Sequence, residues 1–151
     1  MFFNRKEIFM KTAIRSTIST VLLLSVILSL AACGAKYEGT PWESATYTED
    51  KSFGDGAKTI KVTVEAGEKS VVFTIKTDKA TIGEAMQEHG LIEGEQGAYG
   101  LYVKKVNGIV ADYDIDQTYW GFYINGEYAM SGVDLTNIDE AADYKLVRTK
   151  Q

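Results

Sequence analysis

The sequence contains few of the residues that most often build catalytic or metal sites. Its 151 residues include one cysteine, Cys33, one histidine, His89, and one proline, Pro41. A single cysteine excludes an internal disulfide, and a single histidine excludes a metal site with several histidine ligands. No Ser-His-Asp or Cys-His set is indicated around His89, whose spacing is that of a partly buried residue near a helix end. We therefore predict that the protein is not an enzyme and uses no catalytic cofactor.

An excess of basic side chains is also lacking. The chain has 16 lysines and arginines against 21 aspartates and glutamates, which gives a formal net charge of −5 at neutral pH. An acidic protein of this kind is repelled by phosphate backbones and by anionic lipid headgroups. This charge balance excludes nucleic acid as the expected partner.

The longest apolar run, residues 21–32, is too short for an ordinary membrane span, which needs about 20 residues. The run follows a basic leader and ends in small residues before Cys33. This arrangement is typical of a secretory signal peptide, which we place at residues 1–32. The basic leader begins at either Met1 or Met10, and both starts lie in the part that would be removed.

The residues Leu30-Ala31-Ala32-Cys33-Gly34 resemble the bacterial lipobox. The resemblance implies cleavage before Cys33 and lipid attachment to its thiol. We therefore expect a mature protein of net charge −8, anchored by lipid to the outer face of a membrane.

The mature chain divides near residue 58. Residues 33–58 show no hydrophobic periodicity, and we interpret them as the lipidated cysteine and a flexible tether, with Trp42 and Tyr47 packing weakly on the domain. Residues 59–151 alternate in the way that strands do and form one small domain.

The pattern of residues 59–151 predicts an α+β fold with one helix packed on a small mixed or antiparallel sheet, and a β-grasp-like arrangement is the simplest match. Thr81 and Glu84 form a capping box at the predicted helix start, and Gly90 is placed to end the helix. Asn107-Gly108 and Asn125-Gly126 are strong hairpin signals. The predicted strands contain Ile60, Val62 and Val64; Val71, Phe73 and Ile75; residues 101–106; residues 119–124; and residues 144–148.

Aromatic residues are concentrated in the second half of this domain. On the strand at 119–124, alternation places Trp120 and Phe122 on the core face and Tyr119 and Tyr123 on the other. Gly121 leaves a gap between these two tyrosines, where a flat ligand or a backbone could approach. The alternative interpretation is a tyrosine-rich outer face that merely covers the sheet.

A calcium site is a weaker candidate. Asp112, Asp114 and Asp116 have the spacing that opens a calcium loop, but Gln117 and Tyr123 occupy the positions where glycine and the bidentate glutamate are needed. We interpret this segment as a solvated loop without a metal.

Six segments occur in an order that resembles the C-terminal domain of the transcobalamin and intrinsic factor family, in its free-standing bacterial form of unknown function. They are Ile82-Gly83-Glu84-Ala85-Met86, Tyr99-Gly100-Leu101-Tyr102-Val103, Val106-Asn107-Gly108, Tyr119-Trp120-Gly121-Phe122-Tyr123-Ile124-Asn125-Gly126, Gly132-Val133 and Tyr144-Lys145-Leu146-Val147. The resemblance implies a β-grasp-type cap over one face of cobalamin.

For the site, the resemblance implies ligand contacts by Tyr102, Tyr119 and Trp120, whereas alternation places Trp120 in the core. The candidate ligand-binding set is completed by Tyr99 and Tyr123. The large helical domain that holds the other side of cobalamin in the vitamin carriers has no counterpart in this sequence, so the domain is expected to offer about half of such a site.

The expected function is a surface lipoprotein that binds a small soluble ligand, with a corrinoid such as cobalamin as the specific candidate, and delivers it to a membrane importer. The alternative is a protein-protein interaction or adhesion module on the cell surface, in which the same sheet binds a protein by its edge or by an aromatic patch.

Overall fold

The computed structural model describes residues 39–151, so the predicted signal peptide and Cys33 lie outside the described residues. Residues 39–151 form one compact unit. Its strands are β1 Lys51–Phe53, β2 Lys58–Ala66, β3 Lys69–Thr77, β4 Ile92–Gly97, β5 Gly100–Val106, β6 Ile109–Val110, β7 Thr118–Ile124, β8 Glu127–Tyr128 and β9 Asp143–Lys150. Its helices are α1 Ile82–Glu88 and α2 Tyr113–Asp116, and short 3-10 turns occur at Pro41–Ser44 and Val133–Leu135.

The β2–β3 hairpin forms as its alternation predicts. Ile60, Val62 and Val64 of β2 are buried, and Val71, Phe73 and Ile75 of β3 are buried with them. Val62 lies opposite Phe73, and Val64 lies opposite Val71, so the apolar residues of both strands share one face. Gly67 adopts a positive φ of 65° in the turn, which glycine can adopt without strain.

Six strands form a mixed main sheet in the order β1-β3-β2-β9-β7-β8. Strand β9 pairs in parallel with β2 and antiparallel with β7, which places the last strand of the chain in the middle of the sheet. We call the side that carries the buried residues the inner face, and the opposite side, which includes Thr63, Lys145 and Tyr123, the outer face.

Helix α1 packs into the same core as the inner face. The side chain of Thr81 accepts a hydrogen bond from the Glu84 amide, and the Glu84 side chain accepts one from the Thr81 amide, so the predicted capping box is confirmed. Ile82, Ala85 and Met86 are buried, as their helical spacing predicts. Gly90 follows the helix with a φ of 64°, the left-handed conformation expected at a helix end.

A second sheet, in the order β4-β5-β6, was only partly expected. Strand β5 and the turn at Asn107-Gly108 agree with the prediction, but β4 was not predicted. Only Ile92 of β4 is buried, and the residues after it are exposed on both of its faces. The strand therefore lacked the hydrophobic alternation by which strands are recognised in a sequence.

The predicted tether is corrected for residues 39–58, which are part of the folded domain. Trp42 is 7% exposed, and its indole Nε1 donates a 2.7 Å hydrogen bond to the carbonyl of Ala66. Further along, β1 pairs in parallel with β3, and the ring of Tyr47 packs edge-on against Phe53 and Phe73. This segment folds through contacts with distant residues and not through its own periodicity, so its sequence resembled a linker.

The α+β class is thus confirmed, and the described residues 39–151 contain two sheets and two short helices where one sheet and one helix were predicted. Within residues 39–151, no helix has the length and apolar character needed to span a membrane.

Candidate functional site

Four tyrosines from three strands lie near one another beside the β7–β8 hairpin. The rings of Tyr123 and Tyr128 meet edge-on with their centroids 5.4 Å apart, because the hairpin register places the two residues opposite each other. Burial and the nearby phenol groups of Tyr119, Tyr123 and Tyr102 raise the pKa of Tyr128 above its ordinary value. We call Tyr102, Tyr119, Tyr123 and Tyr128 the tyrosine cluster.

Chemically, the tyrosine cluster combines flat apolar rings with hydroxyl groups that can donate and accept hydrogen bonds. Tyr102 and Tyr128 are 46% and 58% exposed, and Tyr119 and Tyr123 are half-buried. The hydroxyl of Tyr128 is protonated at neutral pH, as an ordinary tyrosine hydroxyl is, and its raised pKa extends this donor form to higher pH. Such a surface suits a partner with both apolar faces and polar edges.

The gap that was expected at Gly121 is filled. A Cβ at Gly121 would lie 3.1 Å from the ring of Tyr123 and 3.4 Å from the ring of Tyr128. Both rings fold over the glycine because no side chain holds them away. The predicted slot between Tyr119 and Tyr123 is therefore wrong, and the outward surfaces of the rings are what a partner would meet.

The remaining candidate residues lie elsewhere. Trp120 is 7% exposed on the inner face, as alternation predicts, and its indole N–H has no hydrogen-bond partner among the described residues. Tyr99 is 91% exposed in the β4–β5 turn and makes no ring contact with the tyrosine cluster. The ligand role implied for Trp120 stays a prediction, and its accessible surface is small.

Asp134 fixes the tip of the β4–β5 hairpin and was not recognised in the sequence. Its Oδ2 accepts a 3.2 Å hydrogen bond from the Gln96 side chain, and a Cβ at Gly100 would lie 2.5 Å from its Oδ1. A Cβ at Gly83 or at Gly132 would lie 2.8 Å or 2.9 Å from an atom of Asp134, so three glycines surround one aspartate. Gly100 lies in the hairpin that carries Tyr102, and Gly132 and Asp134 lie in the loop that follows Tyr128. The close packing of these three residues therefore holds the hairpin against the loop.

The electrostatics of Asp134 agree with this role. Burial alone would raise its pKa, but the Leu101 amide, the Gln96 side chain and the amides of its own turn favour the charged form and hold the pKa below its ordinary value. Its Oδ1 is buried without a well-aligned hydrogen bond, so these amides act mainly as nearby dipoles. The carboxylate is therefore charged at neutral pH and serves the fold.

The aspartates at 112–116 are used for local structure. Asp112 caps α2 by accepting a hydrogen bond from the Asp114 amide, and Asp116 accepts hydrogen bonds from Thr118 and pairs with Arg148. Among residues 39–151 no group of three or more His, Cys, Asp or Glu side chains is placed to hold a metal ion.

His89 ends α1 and packs against β1. Its ring stacks on Phe53 with centroids 5.3 Å apart, and its Nε2 is buried without a partner in the described part of the chain. This placement agrees with the prediction of a partly buried residue near a helix end.

Of the residues that sequence reasoning missed, Tyr128 had a usable signal. The Asn125-Gly126 turn fixes a two-residue hairpin loop, and the register then places Tyr128 opposite Tyr123. Asp134 had no such signal, since Gln96, which donates a hydrogen bond to it, lies 38 residues away in the sequence.

Comparison with known proteins shows a relative among solved structures. A crystal structure of a candidate metal-binding protein from Ruminococcus gnavus ATCC 29149 superposes with a TM-score of 0.59 and is 30% identical, over 62% of this chain and 98% of that one. Haptocorrin bound to Cbi is more distant, at a TM-score of 0.47 and 18% identity, over 65% of this chain and 26% of that chain. That likeness is too slight to say anything about a ligand.

Curated proteins give no significant match. Residues 79–143, which run from three residues before α1 to the first residue of β9, match the Domain of unknown function DUF4430. Because nearly the whole of the Ruminococcus gnavus chain aligns at 30% identity, this protein belongs to the same family as the Ruminococcus gnavus protein.

Proposed function

We propose that this protein is held at the outer face of a membrane by lipid on Cys33 and binds a small soluble ligand at the tyrosine cluster. The observation that carries the binding proposal is the convergence of Tyr102, Tyr119 and Tyr123 near Tyr128, on strands from both sheets. Exposed aromatic rings gathered at one place, with hydroxyl groups among them, are typical of a recognition surface. The ligand would then pass to an importer in the same membrane.

The β-grasp-like assignment belongs to the same proposal. It is supported by the β2–β3 hairpin, the helix α1 that follows it, and the parallel pairing of β9 with β2 at the centre of the sheet. In this arrangement the loops and the short strand β8 at one side of the sheet are free to serve binding.

The lipid anchor is supported by the lipobox-like residues 30–34. Only residues 34–38 separate Cys33 from the start of the described domain, and a chain of that length spans at most about 20 Å. The proposed attachment would therefore be a short one, in contrast to the long tether that the sequence suggested.

Replacement of Cys33 by serine is expected to move the protein from the membrane fraction to the medium or to the soluble envelope fraction. The reason is that the proposed lipid is attached to the thiol of Cys33, which the serine variant lacks. Metabolic labelling with an alkyne fatty acid measures the lipid directly, and Cys33 should be required for the label. A labelled, membrane-bound Cys33→Ser protein would contradict the proposal.

A corrinoid is the specific ligand proposed, on the strength of the sequence resemblance to the transcobalamin family. Its flat ring system could lie on the tyrosine rings, and its peripheral amides could bond their hydroxyls. A surface of this shape covers only one side of such a ligand, and small ligands normally need most of their surface buried. We therefore expect weak binding, in the micromolar to millimolar range, by this domain alone.

The proposed corrinoid binding is tested by titrating the protein with cobalamin and with cobinamide. Binding is measured by changes in the absorption spectrum and by calorimetry. Tyr128→Ala should weaken the binding by about tenfold, because it removes the ring at the centre of the tyrosine cluster. Tyr113→Ala is the matched control, since Tyr113 is also about half exposed but bonds Gln151 and lies outside the cluster. If no binding occurs at millimolar ligand, a corrinoid is excluded as the ligand. If Tyr128→Ala and Tyr113→Ala weaken the binding equally, the tyrosine cluster is excluded as the binding site.

Metal binding does not enter the proposal, although the Ruminococcus gnavus relative is described as a candidate metal-binding protein. Among residues 39–151 no group of three or more donor side chains is placed to hold a metal ion, and Asp112 and Asp116 already hold backbone amides, Thr118 and Arg148.

A protein-binding role is the second candidate, and one observation favours it. Tyr99, Met130 and Leu135 are 91%, 101% and 61% exposed, and all three belong to the loops that meet around Asp134. Exposed apolar side chains gathered in this way are typical of protein interfaces. Met130→Lys should then abolish crosslinking to an envelope protein and leave corrinoid binding unchanged. If the crosslinking is retained in this variant, the protein-binding role is excluded.

A further inference from the structure

The outer face of the main sheet carries a shallow trough that the tyrosine cluster does not use. The trough has a volume of about 820 Å³ and runs across the strands from β1 to the β7–β8 turn. Its floor is made of short side chains, those of Thr63, Val72 and Thr74, and longer side chains stand around it. No helix of residues 39–151 covers this face, and within this part of the chain the trough is open along its length.

The strand register arranges the side chains of the trough in two rows. Ser52, Thr74, Lys61 and Asp143 occupy successive strands in one row. In the next row, Val72, Thr63 and Lys145 lie side by side and lead to Tyr123. Neighbouring strands are about 4.8 Å apart, so each row of four side chains extends over about 14 Å.

The hydroxyl groups in the trough are free. Ser52, Thr63 and Thr74 form no side-chain hydrogen bond with any residue in the 39–151 portion, although Thr63 and Thr74 are half-buried. Each hydroxyl can donate one hydrogen bond and accept two. Together with the ammonium of Lys61 and the carboxylate of Asp143, they offer both hydrogen-bond donors and acceptors across the two rows.

The charges in and beside the trough cancel. Lys51, Lys61 and Lys145 are matched by Asp50 and Asp143 and by Glu65, whose carboxylate lies 3.3 Å from the Lys145 ammonium. A polyanion or polycation would gain no net attraction here. A neutral ligand rich in hydroxyl groups matches both the charge balance and the mixed donors and acceptors.

We propose that the trough binds a neutral oligosaccharide. Sugar rings present apolar C–H faces, which would lie on Val72 and on the methyl groups of Thr63 and Thr74, and their hydroxyls would bond the free hydroxyls, Lys61 and Asp143. One pyranose unit is about as long as the spacing between two strands, so a chain laid across the sheet meets a new polar group at each strand. The open ends let a longer chain continue in both directions. This inference does not rest on the proposed function, because it uses other residues.

The test is a nuclear magnetic resonance titration of the full chain, purified in detergent, with maltohexaose, cellohexaose and chitohexaose, and with a heparin hexasaccharide as the anionic comparison. At least one neutral hexasaccharide should bind with saturation and shift the amides at 61–63, 72–74 and 143–145. Thr63→Arg fills the trough and should weaken this binding by at least tenfold. Thr59→Arg is the control, because it places an arginine on the same strand and face but outside the trough. It should change the affinity for the hexasaccharide by less than twofold.

Thr74→Val covers the case in which Thr63→Arg disturbs folding, because it removes one hydroxyl and keeps the shape. It should weaken binding about fivefold, the usual effect of one hydrogen bond. The proposal is overturned if no neutral hexasaccharide binds at millimolar concentration, if heparin binds more tightly, or if Thr59→Arg weakens binding as much as Thr63→Arg. Tyr128→Ala should leave oligosaccharide binding unchanged, so failure here and failure of the corrinoid proposal are separate results.

Discussion

Replacing Trp42 with alanine is expected to lower the free energy of unfolding by about 3–5 kcal/mol, the usual cost of removing a large buried aromatic side chain. Trp42 is 7% exposed and belongs to the same core as the strands of the main sheet. Its loss would leave a cavity and would also leave the carbonyl of Ala66 without its 2.7 Å hydrogen bond. Urea unfolding of the purified protein, followed by circular dichroism, measures the change.

Two variants make this result specific. Trp42→Phe keeps most of the apolar surface and removes the hydrogen bond, so it should cost about 1 kcal/mol for the bond and less in total than alanine. Tyr99→Ala is the control, because its side chain is 91% exposed and should contribute less than about 0.5 kcal/mol. If Trp42→Ala has as little effect as Tyr99→Ala, residues 39–50 are a tether after all.

Gly100→Ala is expected to cost about 2–4 kcal/mol, from a backbone conformation that alanine resists and from a close approach to Asp134. Gly100 has a φ of 101°, and an added Cβ would lie 2.5 Å from the Asp134 Oδ1. Gly126→Ala is the matched control, because Gly126 has a φ of 84° and nothing within 4 Å of an added Cβ. It should cost only about 1 kcal/mol, the conformational part alone.

A double-mutant cycle with Asp134→Ala separates the two causes. Because the shorter side chain removes the obstructing oxygen, the double variant should be less destabilised than the sum of the single variants. Equal costs for Gly100→Ala and Gly126→Ala, or strict additivity with Asp134→Ala, would show that the contact between Gly100 and Asp134 is unimportant. Gly100→Ala should also weaken ligand binding at the tyrosine cluster, because Gly100 begins the strand that carries Tyr102.

The parts of the fold that were predicted correctly are those specified by neighbours in sequence. The alternation of Ile60, Val62 and Val64 fixes which face of β2 is buried, and the capping box of Thr81 and Glu84 fixes where α1 begins. Each Asn-Gly pair specifies a tight turn, because these residues tolerate positive φ. Such signals extend over a few residues, so they can be recognised without knowledge of the rest of the chain.

The errors concern segments whose conformation depends on distant partners. Strand β1 has three residues and exists because it pairs with β3, and β4 is exposed on both faces after Ile92. The slot expected at Gly121 was inferred from one strand alone, whereas Tyr128 on the next strand helps to fill it. The tyrosine cluster itself required the meeting of two sheets, which no local pattern specifies.

The sequence by itself determined the α+β class, the buried faces of the strands, the ends of the main helix and the acidic character of the protein. It also supplied the reasons to expect an export signal and lipid on Cys33. Only the tertiary structure decided that residues 39–58 belong to the folded domain and that three glycines close around Asp134. It alone also brought four tyrosines together. The physical reason is that periodicity and capping are local interactions, whereas burial of Trp42, the approach of Gly100 to Asp134 and the convergence of rings arise only when distant segments pack.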